Sequence, residues 1–222
     1  MVSAFDRIVV EVSDAEAAAA EMAVLLAAES SPGKRGGRLM PLGNTCLELL
    51  PGEVDSARIT GLCLRGTADA ATRSLPDSIR FSDGSETDAL RSLGASISPL
   101  LVDHVVLQTR SAERCIALYR DQLGIRLALD QEVPKWGGRM LFFRAGKMTL
   151  EVIANADTGP EPPNFWGIAF QCADINAEHA RLNAAGVALS EIRDGRKPGT
   201  RVATIKSHCL ELPTLLIEPA PR

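Results

Sequence analysis

Few residues in this chain have the type and setting to do chemistry. His104 follows Asp103 at the start of a β-rich run, where an imidazole serves structure more often than catalysis or ligation. Glu151 is more informative, because a carboxylate inside Met148-Thr149-Leu150-Glu151-Val152-Ile153 is costly to bury without a partner. It therefore lines a functional surface or lies on the solvent face of a strand, and alternation alone weighs the two equally. Glu48 repeats the setting in Leu47-Glu48-Leu49. The segment Arg193 to Arg201, with Arg196 near its centre, is the most basic local run and could clamp an anion through guanidinium forks. A solvated hairpin turning at Pro198-Gly199 is the simpler reading. His179 falls on the apolar side of a helix-like stretch, and His208 sits beside Cys209 near a strand turn.

Other chemistries lack their signatures. No Gly-x-Ser-x-Gly elbow or Walker loop is present, and no cysteine has a basic, helix-starting environment. Cys46, Cys63, Cys115, Cys172 and Cys209 are odd in number, widely spaced and mostly within apolar runs, which predicts reduced, buried thiols.

An internal repeat predicts the elements that position these residues. Phe5-Asp6-Arg7-Ile8-Val9-Val10 matches Val102-Asp103-His104-Val105-Val106-Leu107, and Gly36-Gly37-Arg38 matches Gly137-Gly138-Arg139. Gly43 precedes Glu48 as Gly146 precedes Glu151, and Gly61 and Gly167 open the next pair of strands. The chain thus reads as two related halves, 1–99 and 100–222, the first shortened, with the boundary near Ser98 to Leu101. In the second half, a strand at 103–109 leads to a helix capped by Ser111, with Ile116, Tyr119 and Leu123 on one face and Gly124 at its end. Strands are predicted at 125–129, 139–144 and 148–153. The order then restarts with a strand at 166–172, a helix capped by Asp174, and strands at 187–192, 201–206 and 214–218. Each is a β-α-β-β-β unit. The first half predicts an alanine-rich helix capped by Ser13 or Asp14 and strands near 38–42, 45–50 and 58–64. Residues 82–96 are polar and weakly patterned, which predicts irregular structure.

Asp-His-Val-Val-Leu on a first strand, a helix ending in Ala117-Leu118-Tyr119-Arg120-Asp121-Gln122-Leu123-Gly124, and Thr149-Leu150-Glu151-Val152 on a fourth strand resemble the vicinal-oxygen-chelate superfamily of glyoxalases, bleomycin-resistance proteins and extradiol dioxygenases. The likeness covers 102–218, and extends over 5–75 through the repeat. It implies an α+β fold of tandem βαβββ modules forming cup-shaped mixed sheets with helices outside. It also implies metal ligands projecting inward from the first and fourth strands of each module. On that pattern His104 and Glu151 are ligand candidates for one divalent Fe, Mn, Ni or Zn ion. The set is incomplete. Gly167 stands at the next first-strand position, Leu216 or Ile217 at the next fourth-strand position, and Arg7 replaces the histidine in the first half. Completing the site would require Glu218, His208 or a group from another chain. Alternation directs Glu218 to the other face unless the register slips.

The implied function is to act on or bind a small molecule in the second cup. A metal-dependent lyase, isomerase or dioxygenase stands against a metal-free sequestering protein. Candidate ligand-binding residues are Trp136, Arg139, Phe143, Trp166 and Arg196. The formal net charge of −4 and the scattered basic residues provide no nucleic-acid footprint. No apolar run approaches the roughly 20 residues of a membrane span, and no signal segment opens the chain, which predicts a cytoplasmic location. The expected partner is a small molecule, with a homodimer left open.

Overall fold

The computed structural model describes residues 2–66, 75–136 and 138–221. In the first half, β1 (Ala4–Val12) leads into α1 (Ala15–Leu26), whose first turn is capped by the Asp14 carboxylate accepting from the Glu16 and Ala17 amides. Strands β2 (Ser31–Pro32), β3 (Arg38–Pro41), β4 (Cys46–Pro51), β5 (Arg58–Arg65) and β6 (Ile79–Ser82) complete a six-stranded sheet ordered β2-β3-β4-β1-β5-β6. The second half begins at β7 (Leu101–Thr109) and continues through α3 (Ala112–Cys115), which widens into a π-helical stretch at Ile116–Gln122. It then adds β8 (Arg126–Val133), β9 (Gly138–Ala145), β10 (Met148–Ala154), β11 (Asn164–Gln171), α4 (Ile175–Ala184), β12 (Arg193–Asp194), β13 (Arg201–Ile205) and β14 (Thr214–Glu218). Its eight strands run β12-β13-β14-β11-β7-β10-β9-β8. This mixed-sheet α+β architecture is the one the repeat implies.

Two expectations change. Residues 82–96 carry an α-helix, α2 (Ser85–Ser92), whose single buried side chain is Thr87. Its partners are charged groups, so no apolar stripe marks it in the sequence. The strand predicted at 187–192 is reduced to one bridge between Leu189 and Ile205, and a short pairing follows at Arg193–Asp194.

The repeat holds at the level of register. Val9 pairs with Glu48 on one side and Gly61 on the other, while Val106 pairs with Glu151 and Gly167. The two glycines share a backbone requirement. A Cβ at Gly167 would lie 2.3 Å from the Pro213 carbonyl oxygen, and one at Gly61 would lie 2.3 Å from that of Ser78. Each carbonyl accepts from the next amide, Ile168 or Leu62, as it aligns a parallel neighbour strand.

Strand alternation splits the side chains between two faces. Val105, Leu107, Leu141, Phe143, Leu150, Val152 and Phe170 join the helices in a core that runs without interruption into Ile8, Val10, Leu25, Leu47 and Leu62 of the first half. The halves are also joined at the end of α1. Arg181 on α4 donates to the Val24 and Leu25 carbonyls at 3.3 and 2.7 Å, and the Ser98 hydroxyl donates to Leu26 at 2.6 Å. Three carbonyls that a helix C-terminus leaves unpaired are thus satisfied from outside the helix.

Arg181→Ala should lower unfolding free energy by about 1–3 kcal/mol, because it leaves these carbonyls without their charged donor. Urea denaturation checks this, and an unchanged midpoint would show that the cap is not stabilising. Gly167→Ala should cost a similar amount, roughly 1–3 kcal/mol, since the obstructing atom is backbone and cannot rotate away; wild-type stability would contradict the close approach.

Candidate functional site

The concave face of the second sheet lies opposite the helix-packed core. Its floor is formed by His104 and Val106 on β7, Thr149, Glu151 and Ile153 on β10, and Met140 and Phe142 on β9, with residues of β11, β13 and β14 beyond. The His104–Glu151 pair is flanked by the apolar Val106, Ile153, Met140 and Phe142, and Thr149, Gln108 and Arg144 share the same face.

Parallel pairing of β7 and β10 brings His104 and Glu151 together, with Nε2 3.4 Å from a Glu151 carboxylate oxygen. The other ring nitrogen, Nδ1, lies 2.8 Å from the Asp103 carboxylate. The imidazole and Glu151 side chains are only 17% and 12% exposed. Burial pushes the His104 pKa down, but the Asp103 hydrogen bond and the Glu151 charge more than offset it, so the net shift is upward. Burial raises the Glu151 carboxyl, while His104 and Arg196 pull it back. Arg196, on the loop joining β12 to β13, therefore lies within electrostatic range of this pair.

The remaining sequence candidates are distributed differently. Trp166 is 47% exposed beside Gly167, at a register shift in β11. Arg139 and Phe143 alternate with Met140 and Phe142 and so face the helices. Arg139 binds Asp130 and Glu113, and Phe143 packs on Tyr119 with ring centroids 5.3 Å apart. The Trp136 side chain lies outside the described residues. Glu218 is taken up by Arg201 and by the amide of Ile175 at the start of α4, on the helix side of β14. His208 has Nδ1 3.0 Å from the Ser207 hydroxyl, and His179 joins the Ser190 carbonyl to Asn183.

Among the described residues no three His, Cys, Asp or Glu side chains converge as a metal-binding group. Two donors fall short of the three or four protein ligands that hold a resident divalent metal. Gly167 cannot contribute a third without displacing the Pro213 carbonyl. All five cysteines are free and buried, and burial pushes Cys46 and Cys172 up to about 12 and Cys115 up to about 11, which leaves no thiolate nucleophile near neutral pH. No described helix is long and apolar enough to cross a membrane.

The first half has a counterpart that the sequence did not disclose. Arg7 occupies the His104 position, 3.7 Å from Glu48 and 3.4 Å from Asp6, and Arg35 approaches Glu48 at 3.3 Å. Glu86 of α2 completes the cluster at 2.8 Å from Arg7. The repeated Asp6-Arg7 and Asp103-His104 pairs were the available signal. Glu86 had none, because α2 was not legible.

A family model described as Glyoxalase/Bleomycin resistance protein/Dioxygenase superfamily matches residues 103–204. No curated protein matches the chain. Among solved structures, a triple mutant of 4-hydroxymandelate synthase from Streptomyces coelicolor is similar over 100% of this chain and 94% of its own, with TM-score 0.68 and 14% identity. Methylmalonyl-CoA epimerase from Mycobacterium tuberculosis is similar over 54% of this chain and 88% of its own, with TM-score 0.45 and 23% identity. The first of these likenesses spans both halves and concerns the fold alone. Residues 103–204 thus match the glyoxalase/bleomycin resistance protein/dioxygenase superfamily, and the whole chain is similar in fold to the 4-hydroxymandelate synthase.

Proposed function

We propose that the second cup binds a small molecule without a resident metal, with His104 and Glu151 as its polar anchor and Arg196 and Trp166 at its rim. The observation that carries this reading is the close His104–Glu151 pair flanked by the apolar Val106, Ile153, Met140 and Phe142 on the concave face, with a glycine where a further donor would stand. Ligand sites commonly combine apolar walls with a few placed polar groups that fix orientation.

Asp103 acts as the positioning residue. By accepting from Nδ1–H it fixes the ring so that Nε2 addresses Glu151 and the cup. At 3.4 Å imidazole and carboxyl form a close ion pair, and a hydroxyl, amide or carboxyl group of a ligand can engage the two from the cup side as donor or acceptor.

A second reading, a metal-dependent enzyme, is favoured by Asp103 itself, since a carboxylate behind the imidazole is the usual support for a metal-ligating histidine. A divalent ion would be held by His104 Nε2 and the Glu151 carboxylate, and the shortage of protein donors is what places this reading second.

The deciding experiment pairs elemental analysis of untagged, chelator-free protein with a metabolite and antibiotic screen read by thermal melting. The expected result is substoichiometric metal and a ligand-induced rise in Tm that EDTA leaves unchanged and His104→Ala abolishes. Stoichiometric Fe, Mn, Ni or Zn that is lost in His104→Ala would establish the second reading instead.

Asp103→Asn should lower the His104 titration midpoint seen in ring-proton NMR, because the hydrogen bond that raises it is weakened; an unmoved midpoint would deny Asp103 this role. Because the folded pKa lies above the ordinary value of 6.5, the stability His104 contributes is fully present below pH 6.5 and is lost as pH rises through the folded-state pKa. In Asp103→Asn that loss should be smaller and complete at lower pH.

A further inference from the structure

The first module's cup is closed from within. Glu86 is 14% exposed, and its two carboxylate oxygens have separate donors: the Arg7 guanidinium at 2.8 Å and the Lys34 backbone amide, also at 2.8 Å. A guanidinium and a main-chain N–H converging on one carboxylate are what a binding site offers a free organic acid. The helix that delivers Glu86 is attached by polar contacts. Thr87 donates to Asp6 at 2.7 Å, Arg65 grips Asp88 at 2.8 Å, and Arg91 reaches the Leu42 and Thr45 carbonyls. With so little apolar surface buried under it, α2 is held on the cup by these polar contacts.

Two further observations mark the place as a site. Arg7 Nε, Asp6 Oδ2 and Glu48 Oε1 are buried without a hydrogen bond and are held only by ion pairs of 3.4 Å (Nε to Oδ2) and 3.7 Å (Arg7 Nη1 to Oε1), so the cluster's polar capacity is not fully used. A groove of about 380 Å³, lined by Val9, Glu11, Arg35, Gly61, Asp77 and Arg80 among others, reaches the cluster through Arg35, which lies 3.3 Å from Glu48. Val9 pairs directly with Glu48 and Gly61, so the groove continues the same concave face.

We propose that the first module holds a carboxylate-binding site, formed by the Arg7 guanidinium and the Lys34 amide, which Glu86 occupies as a tethered ligand. A small organic acid takes its place when α2 moves off the cup. The site is separate from the His104–Glu151 cup and stands or falls independently of it.

The test is chemical rescue in the full-length chain. Glu86→Ala should melt below the parent, and formate or acetate should restore it with a saturable rise of about 2–4 °C beyond chloride at matched ionic strength. In the parent, where formate must first displace Glu86, the rise at each concentration should be smaller, and the charge-balanced Arg7→Gln/Glu86→Ala variant should show none. No formate-dependent rise in Glu86→Ala, or an equal rise in the parent or the double variant, would overturn the proposal. If Glu86→Ala folds only with formate present, that itself is rescue. If it does not fold at all, Glu86→Gln is titrated in the same way, and a flat response from that folded variant refutes the site.

Discussion

The pairing of each module's first strand with its fourth, parallel and in fixed register, is the constraint on which the rest of this molecule depends. It places the residue two before Val9 next to Glu48, and the residue two before Val106 next to Glu151. The scaffold thereby delivers one side chain and one carboxylate to the concave face, whatever the side chain is. With an arginine, the outcome is a buried charge cluster whose desolvation is offset only by several partners at once, which is why Asp6, Glu48 and Glu86 gather around Arg7. With a histidine, whose charge is adjustable, the same geometry is met by two carboxylates, Asp103 and Glu151.

A second constraint comes from β5 and β11. Both pass so close to a carbonyl of the chain that aligns their parallel neighbour that only glycine fits at Gly61 and Gly167. The backbone therefore settles a chemical question. At Gly167, across from Val106, β11 cannot supply a ligating side chain, so the paired imidazole and carboxylate of the second cup come from β7 and β10 alone.

The fold was legible because its signals are spaced features that survive divergence: the Asp-Arg and Asp-His pairs, the glycines before each carboxylate, and the helix caps Asp14 and Asp174. The site was only partly so. Whether Glu151 faces the cup is a question of strand parity, and the sequence of β10 alone is compatible with either answer. The same parity separates Phe142 from Phe143 and Met140 from Arg139, so a one-residue choice moves an aromatic or a guanidinium from the cup to the core. Helix α2 was illegible for a different reason. Its order comes from ion pairs with Arg7 and Arg65, residues about twenty to eighty positions away, and distant charges leave no periodicity in a local window.

The cap on α1 has a consequence for the order in which the chain acquires structure. Synthesis delivers α1 long before Arg181, so the last turn of that helix emerges with two carbonyls that have no protein donor until some 150 further residues have been made. Water must serve them in the interval. The first half thus waits on the second to finish its oldest helix, and the two repeats, although each carries its own sheet, mature as one.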